Sequence, residues 1–120
     1  MLKKTIKYTD FDDNEREETF YFNLTQAEVT EMELSTKGGL AAKINKIIEA
    51  QDSESIITLF KEIIGEAYGE KSADGKYFVK NDQLRESFMQ TQAYSNLFME
   101  LATNPEAAAT FINGIVPARL

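Results

Sequence analysis

The sequence predicts an α+β fold, mostly α-helical, in which an N-terminal β-hairpin packs on a bundle of about five to six short helices. Three observations carry that expectation. Apolar and polar residues alternate over residues 3–9 and 16–24, the spacing of apolar residues changes to three and four beyond residue 25, and a capping residue stands before most of the helical runs. The 120 residues read as a single domain, 1–120, with the hairpin in 1–24 and the helical part in 25–120. A chain of this size buries roughly 65% of the surface its unfolded form exposes, so one core suffices.

In the hairpin, Ile6 and Tyr8 alternate with polar neighbours, as do Phe20, Phe22 and Leu24 with Thr19, Tyr21 and Asn23. The connection from Asp10 to Glu15 is polar and longer than a two-residue turn. Two strands alone are marginal, so their apolar face has to lie on helices. The first helix starts at Thr25, whose hydroxyl and Glu28 form a capping box worth about 1 kcal/mol. It ends near Ser35, before the Gly38–Gly39 pair, and a second helix runs from about Leu40 to Ala50 with Leu40, Ile44, Ile47 and Ile48 on one face.

Asp52 or Ser53 caps a third helix, in which Ile56, Ile57, Phe60, Ile63, Ile64, Ala67 and Tyr68 recur at helical spacing until Gly69 closes it. Lys71 to Lys80 then forms a loop with an Asp74–Gly75 turn and a brief third strand at Tyr77, Phe78 and Val79. Asp82 starts a helix carrying Leu84 and Phe88. Thr91 caps another with Tyr94, Leu97, Phe98 and Leu101 on its inward stripe, and the pattern leaves the break between the two open. Asn104 followed by Pro105 opens the last helix, which Gly114 and Pro117 end near Ile115.

The absence of cysteine and histidine removes disulfides, thiolate and imidazole metal sites, thiol nucleophiles and the usual general base. No glycine-rich phosphate loop and no nucleophile-elbow serine is present, so neither a cofactor nor an enzyme is expected. The N-terminal lysines run into Asp10, Asp12 and Asp13 without the apolar stretch of a signal peptide, which places the chain in the cytoplasm. No apolar run nears the roughly 20 residues that span a bilayer, so no membrane is involved. The formal charge is −7, and acidic residues outnumber basic ones on both sides of Phe60, which disfavours nucleic acid as a partner unless the acidity itself mimics DNA.

Four local patterns yield to plainer readings. Asp10 to Glu15 begins like a calcium loop but has Glu15 where glycine is required and Tyr21 where a bidentate glutamate belongs, so it is a solvated turn. Glu62, Glu66 and Glu70 share a spacing of four and read as a water-facing stripe. Gly65 and Gly69 read as close packing and helix termination rather than a lipid-phase motif. The sequon Asn23–Leu24–Thr25 is a strand end and a helix cap.

The C-terminal helices carry more apolar bulk than two short helices need for each other. Tyr94, Phe98, Met99, Phe111, Ile112, Ile115 and Val116 are the candidate partner-binding residues, Met99 standing off the inward stripe. The competing reading makes them core.

Read in order, the Ile6–Phe22 hairpin, Phe22-Asn23-Leu24-Thr25-Gln26-Ala27-Glu28, Glu31-Met32-Glu33-Leu34-Ser35 with Gly38 and Gly39, and Leu97-Phe98-Met99-Glu100-Leu101-Ala102-Thr103 through Phe111-Ile112-Asn113-Gly114-Ile115 form a recognisable combination. It resembles, nearly end to end, the tail assembly chaperones of long-tailed bacteriophages of Gram-positive hosts. The resemblance implies a protein that binds the tape measure protein, keeps it soluble, helps tail tube subunits polymerise around it, and does not remain in the virion. It also implies the shorter product of a frameshifted pair. That family has no catalytic motif, so no functional residue carries over. A structural virion component such as a head-tail connector subunit, and an acidic inhibitor of a host protein, are the alternatives; homo-oligomerisation is left open.

Overall fold

The computed structural model describes residues 1–35 and 53–116, and Glu49. Glu49 apart, the helix expected over Leu40–Ala50 lies outside the described residues, as do the Gly38–Gly39 break, the cap at Asp52 and the stop at Pro117. The fold is α+β and mostly helical, with an antiparallel sheet built onto the N-terminal hairpin.

Strands β1 (Leu2–Thr9) and β2 (Glu15–Phe22) pair antiparallel, from Leu2 opposite Phe22 to Thr9 opposite Glu15. The register places Ile6, Tyr8, Phe20 and Phe22 toward the helices and Lys3, Thr5, Lys7 and Thr19 toward solvent. Asp10 organises the turn. Its carboxylate accepts from the Asp12 and Asn14 amides, both at 2.9 Å, and pairs with the Arg16 guanidinium, while Asp13 adopts a left-handed φ of 62°. The Arg16 hydrogen bond and these amides hold the Asp10 carboxyl below its ordinary range. The Asp10 carboxylate, at the first position of the calcium-like pattern, is therefore engaged by the turn itself.

Helix α1 (Gln26–Ser35) has the expected cap: Thr25 donates its amide to Glu28 Oε1 at 2.9 Å and its hydroxyl accepts from the Glu28 amide at 3.1 Å. Helix α2 (Ser53–Ala67) buries Leu59, Ile63, Ile64 and Ala67. Two expectations change here. Leu59 belongs to the core, whereas Ile57 is 48% exposed. The helix also stops at Ala67, because Tyr68 and Gly69 pair with β2 instead of continuing it.

Tyr68–Lys71 is thus strand β3, unforeseen in the sequence, and Phe78–Val79 is the expected short strand, β4; the sheet order is β1-β2-β3-β4. Gly69 is a strand residue rather than a helix stop. A Cβ there would sit 2.8 Å from both the Phe78 ring and the Val79 carbonyl oxygen, so glycine is what lets β4 close on β3. Gly75, with φ of 78°, makes the intervening turn.

Helix α3 (Asp82–Met89) is capped by Asn81, α4 (Gln92–Thr103) by Thr91, and α5 (Pro105–Ile115) by Asn104, whose side-chain oxygen accepts from the Glu106 and Ala107 amides. Gly65, on α2, admits the Met89 methyl and the Arg85 stem, and Arg85 donates to the Gly65 carbonyl at 3.1 Å. Gly114 lies inside α5 rather than ending it. Leu2 of β1 packs on the space its missing side chain leaves, with Leu2 Cδ1 only 3.0 Å from where a Cβ would be.

Phe22, fully buried, is the meeting point of the layers: its ring lies 5.8 Å from Tyr68, 5.7 Å from Phe88 and 5.2 Å from Phe111. Lys80 ties the remaining polar groups. Its ammonium donates to the Asn23 carbonyl (2.6 Å), the Glu66 carbonyl (2.8 Å) and Glu28 Oε2 (2.7 Å). Burial opposes ionisation of Glu28, but the Lys80 and Thr25 hydrogen bonds outweigh it and hold the carboxyl below its ordinary value.

Lys80→Met is expected to cost about 2–3 kcal/mol in urea unfolding, since it strands two carbonyls and a carboxylate. The sign of the acid effect follows from Glu28. A depressed folded-state pKa adds stability above the ordinary value of 4.5 that is lost as pH falls through the folded value. Wild type should therefore lose stability between about pH 5 and pH 3, and Glu28→Gln should flatten that part of the profile.

Candidate functional site

Of the seven residues expected to form a docking patch, two are core. Phe111 and Ile115 are 3% and 1% exposed, because the inward face of α5 is turned onto Phe22 and the end of β2. The Ile115 carbonyl even accepts the Leu24 amide at 2.8 Å, fixing the end of the helix to the chain leaving the sheet. Ile112 and Val116 are half-buried beside them. The structure therefore does not gather the seven on one surface.

The α4 members behave differently. Tyr94 and Phe98 are half-buried with ring centroids 6.0 Å apart, and Tyr94 meets Phe88 edge-on at 5.8 Å. Partial burial raises the pKa of the Tyr94 phenol. Met99, off the stripe as its spacing implied, is 54% exposed.

Tyr94 and Phe98 form one wall of an open depression of about 560 Å³ between the β1–β2 turn, α2 and the α3–α4 junction. Phe11, Ile57 and Met89 supply the other apolar contacts, and Lys61 and Glu86 also line it. Phe11 is 77% exposed, an aromatic ring on a turn that otherwise consists of acids and an amide. Sequence reasoning passed over it because the turn was read as solvated; a large ring between Asp10 and Asp12 was the available signal. Ile57 was missed because helical spacing alone assigns it to the core.

Among the described residues no group of three acidic side chains is placed to hold a metal ion, and no charged or polar residue is buried. Glu62, Glu66 and Glu70 are all exposed, with Glu66 3.7 Å from Arg85 and Glu70 on β3 rather than on the helix. No helix of the described residues is long and apolar enough to cross a membrane.

Fold and surface together describe a small α+β protein with partly exposed apolar side chains on α4 and beside it. Residues 1–120 match the family described as phage tail assembly chaperone, and the chain belongs to that family. Membership implies a non-catalytic role in building phage tails, with phage tail proteins as partners. No curated protein and no solved structure matches the chain significantly.

Core and surface assignments make opposite predictions for charge insertion. Phe111→Asp or Ile115→Asp should abolish the cooperative thermal transition, because an unpaired carboxylate would sit in the aromatic core. Met99→Asp should leave stability within about 0.5 kcal/mol of wild type. Circular dichroism melting curves of the three variants separate the two cases.

Proposed function

We propose that this chain binds the phage tape measure protein before the tail tube covers it, keeps it soluble, and helps tail tube subunits polymerise around it. It acts in the cytoplasm of the infected host and is absent from the mature virion. The family supplies the role in tail assembly, and the observation that supports the choice of partner is the run of half-buried and exposed apolar side chains on α4 and the surfaces beside it, Tyr94, Phe98 and Met99 among them. A long helical protein awaiting its tube exposes amphipathic surface, and a partner helix lying on an apolar groove is a standard way to mask such surface. The charge of −7 opposes aggregation of the resulting complex.

Displacement by the tube protein requires a reversible contact, so the interface belongs at the small end of the specific range, about 1,200–1,600 Å². Co-expression supplies the test. The tape measure protein should move from the insoluble to the soluble fraction when this chain is present and co-purify with it. Mass spectrometry of purified particles should find no stoichiometric copy of the chain. A soluble fraction unchanged by co-expression, or a fixed copy number per virion, would contradict the reading.

A further inference from the structure

We infer that α1 is a latched arm: it undocks and unwinds as a unit while the sheet and helices α2–α5 stay folded, and the Glu28–Lys80 pair is the latch. The inference concerns a second state of the fold and is independent of which tail protein the chain binds.

The attachment of α1 is thin. Of its side chains whose burial is described, Val29 alone is buried, at 4% exposure, with Glu28 and Met32 half-buried. Gln26, Ala27, Thr30, Glu31, Glu33 and Leu34 are exposed. By contrast, α2, α4 and α5 each bury at least three apolar side chains. A helix of 10 residues is marginal in water by itself, so α1 is helical only while it is docked.

The chain is pinned up to Leu24 and turns from Thr25 onward. Asn23 donates its amide to the Ala67 carbonyl and Leu24 to the Ile115 carbonyl, both at 2.8 Å, and the Leu24 side chain is buried. Lys80 belongs to the pinned part, since the Asn23 and Glu66 carbonyls that it also engages lie outside α1. Its bond to Glu28 Oε2, at 2.7 Å, reaches the arm. The same carboxylate accepts the Thr25 amide through Oε1 at 2.9 Å, so one side chain closes both the tie to Lys80 and the helix cap. Withdrawing it undoes both at once, while Lys80 stays in place to receive it again. Moving elements are drawn from segments that open at low free energy, and opening here uncovers the part of the core that Val29 closes.

The chain has no cysteine, so Val29→Cys and Ala93→Cys each give a full-length protein with one buried thiol, on α1 and on α4. Labelling by a thiol reagent, divided by the rate for the same protein unfolded in urea, reads the open fraction at each place. The Val29→Cys thiol should react at least about tenfold faster than the Ala93→Cys thiol. Glu28→Gln removes a charge-assisted contact made only in the docked state, so it should speed Val29→Cys labelling about tenfold. Ile6→Val thins the core in the middle of β1, well before the strand end that leads to α1, and acts equally on the docked and undocked states. It should therefore leave Val29→Cys labelling within about twofold while speeding Ala93→Cys labelling about fivefold. In the unsubstituted chain, amide exchange over α1 should show a lower opening free energy and a smaller denaturant dependence than over α4 and α5.

Equal opening of α1 and α4 in the amide exchange would overturn the arm, whatever the thiol variants show. So would Ile6→Val speeding both thiols alike, which would mean that α1 opens only with the whole protein. Val29→Cys labelling unchanged by Glu28→Gln would overturn the latch.

Discussion

The structure depends on the burial of Phe22. A two-stranded hairpin is marginal by itself, and β2 becomes secure only because its last side chain enters an aromatic cluster supplied by Tyr68, Phe88 and Phe111, from β3, α3 and α5. Tyr68 stacks on Phe88 with centroids 4.2 Å apart, nearly parallel at 9°, and Phe20 approaches the same Phe88 ring at 5.2 Å. Each such pair adds about 0.5–1.5 kcal/mol beyond its buried area. Segments far apart in the sequence are joined here by one cluster.

Other contacts work at the periphery of that cluster. Lys80 collects carbonyls from the end of β2 and the end of α2 and holds Glu28 at the start of α1. Asn96 donates to the Lys7 carbonyl and Lys4 pairs with Glu100, so α4 is fastened along β1. This fastening has a functional consequence. It holds the β1–β2 turn, with Phe11, beside Tyr94 and Phe98, and thereby forms an apolar depression from residues that share no local pattern.

Much of this was legible in the sequence where the physics is local. The capping residues Thr25, Thr91 and Asn104, the alternation of the hairpin and the spacing on α4 depend on neighbours within a few positions, and each appears as expected. What escaped notice depends on distant partners. Tyr68 and Gly69 look like a helix end until β2 offers them a pairing edge, and Gly114 looks like a helix stop until Leu2 fills the space beside it. Phe111 and Ile115 have the composition of a docking surface and the burial of a core, and only Phe22 on the other side decides between them. Phe11 escaped for the opposite reason, since its turn is polar and its apolar neighbours come from α2, α3 and α4.

Native-state hydrogen exchange tests the aromatic cluster as the unifying element. If Phe22 joins the sheet to the C-terminal helices, the slowest amides of β1 and β2 and those of α4 and α5 open with the same free energy and the same denaturant dependence, as one cooperative unit. Hairpin amides that exchange through a separate opening of lower free energy, while α4 and α5 stay protected, would contradict it.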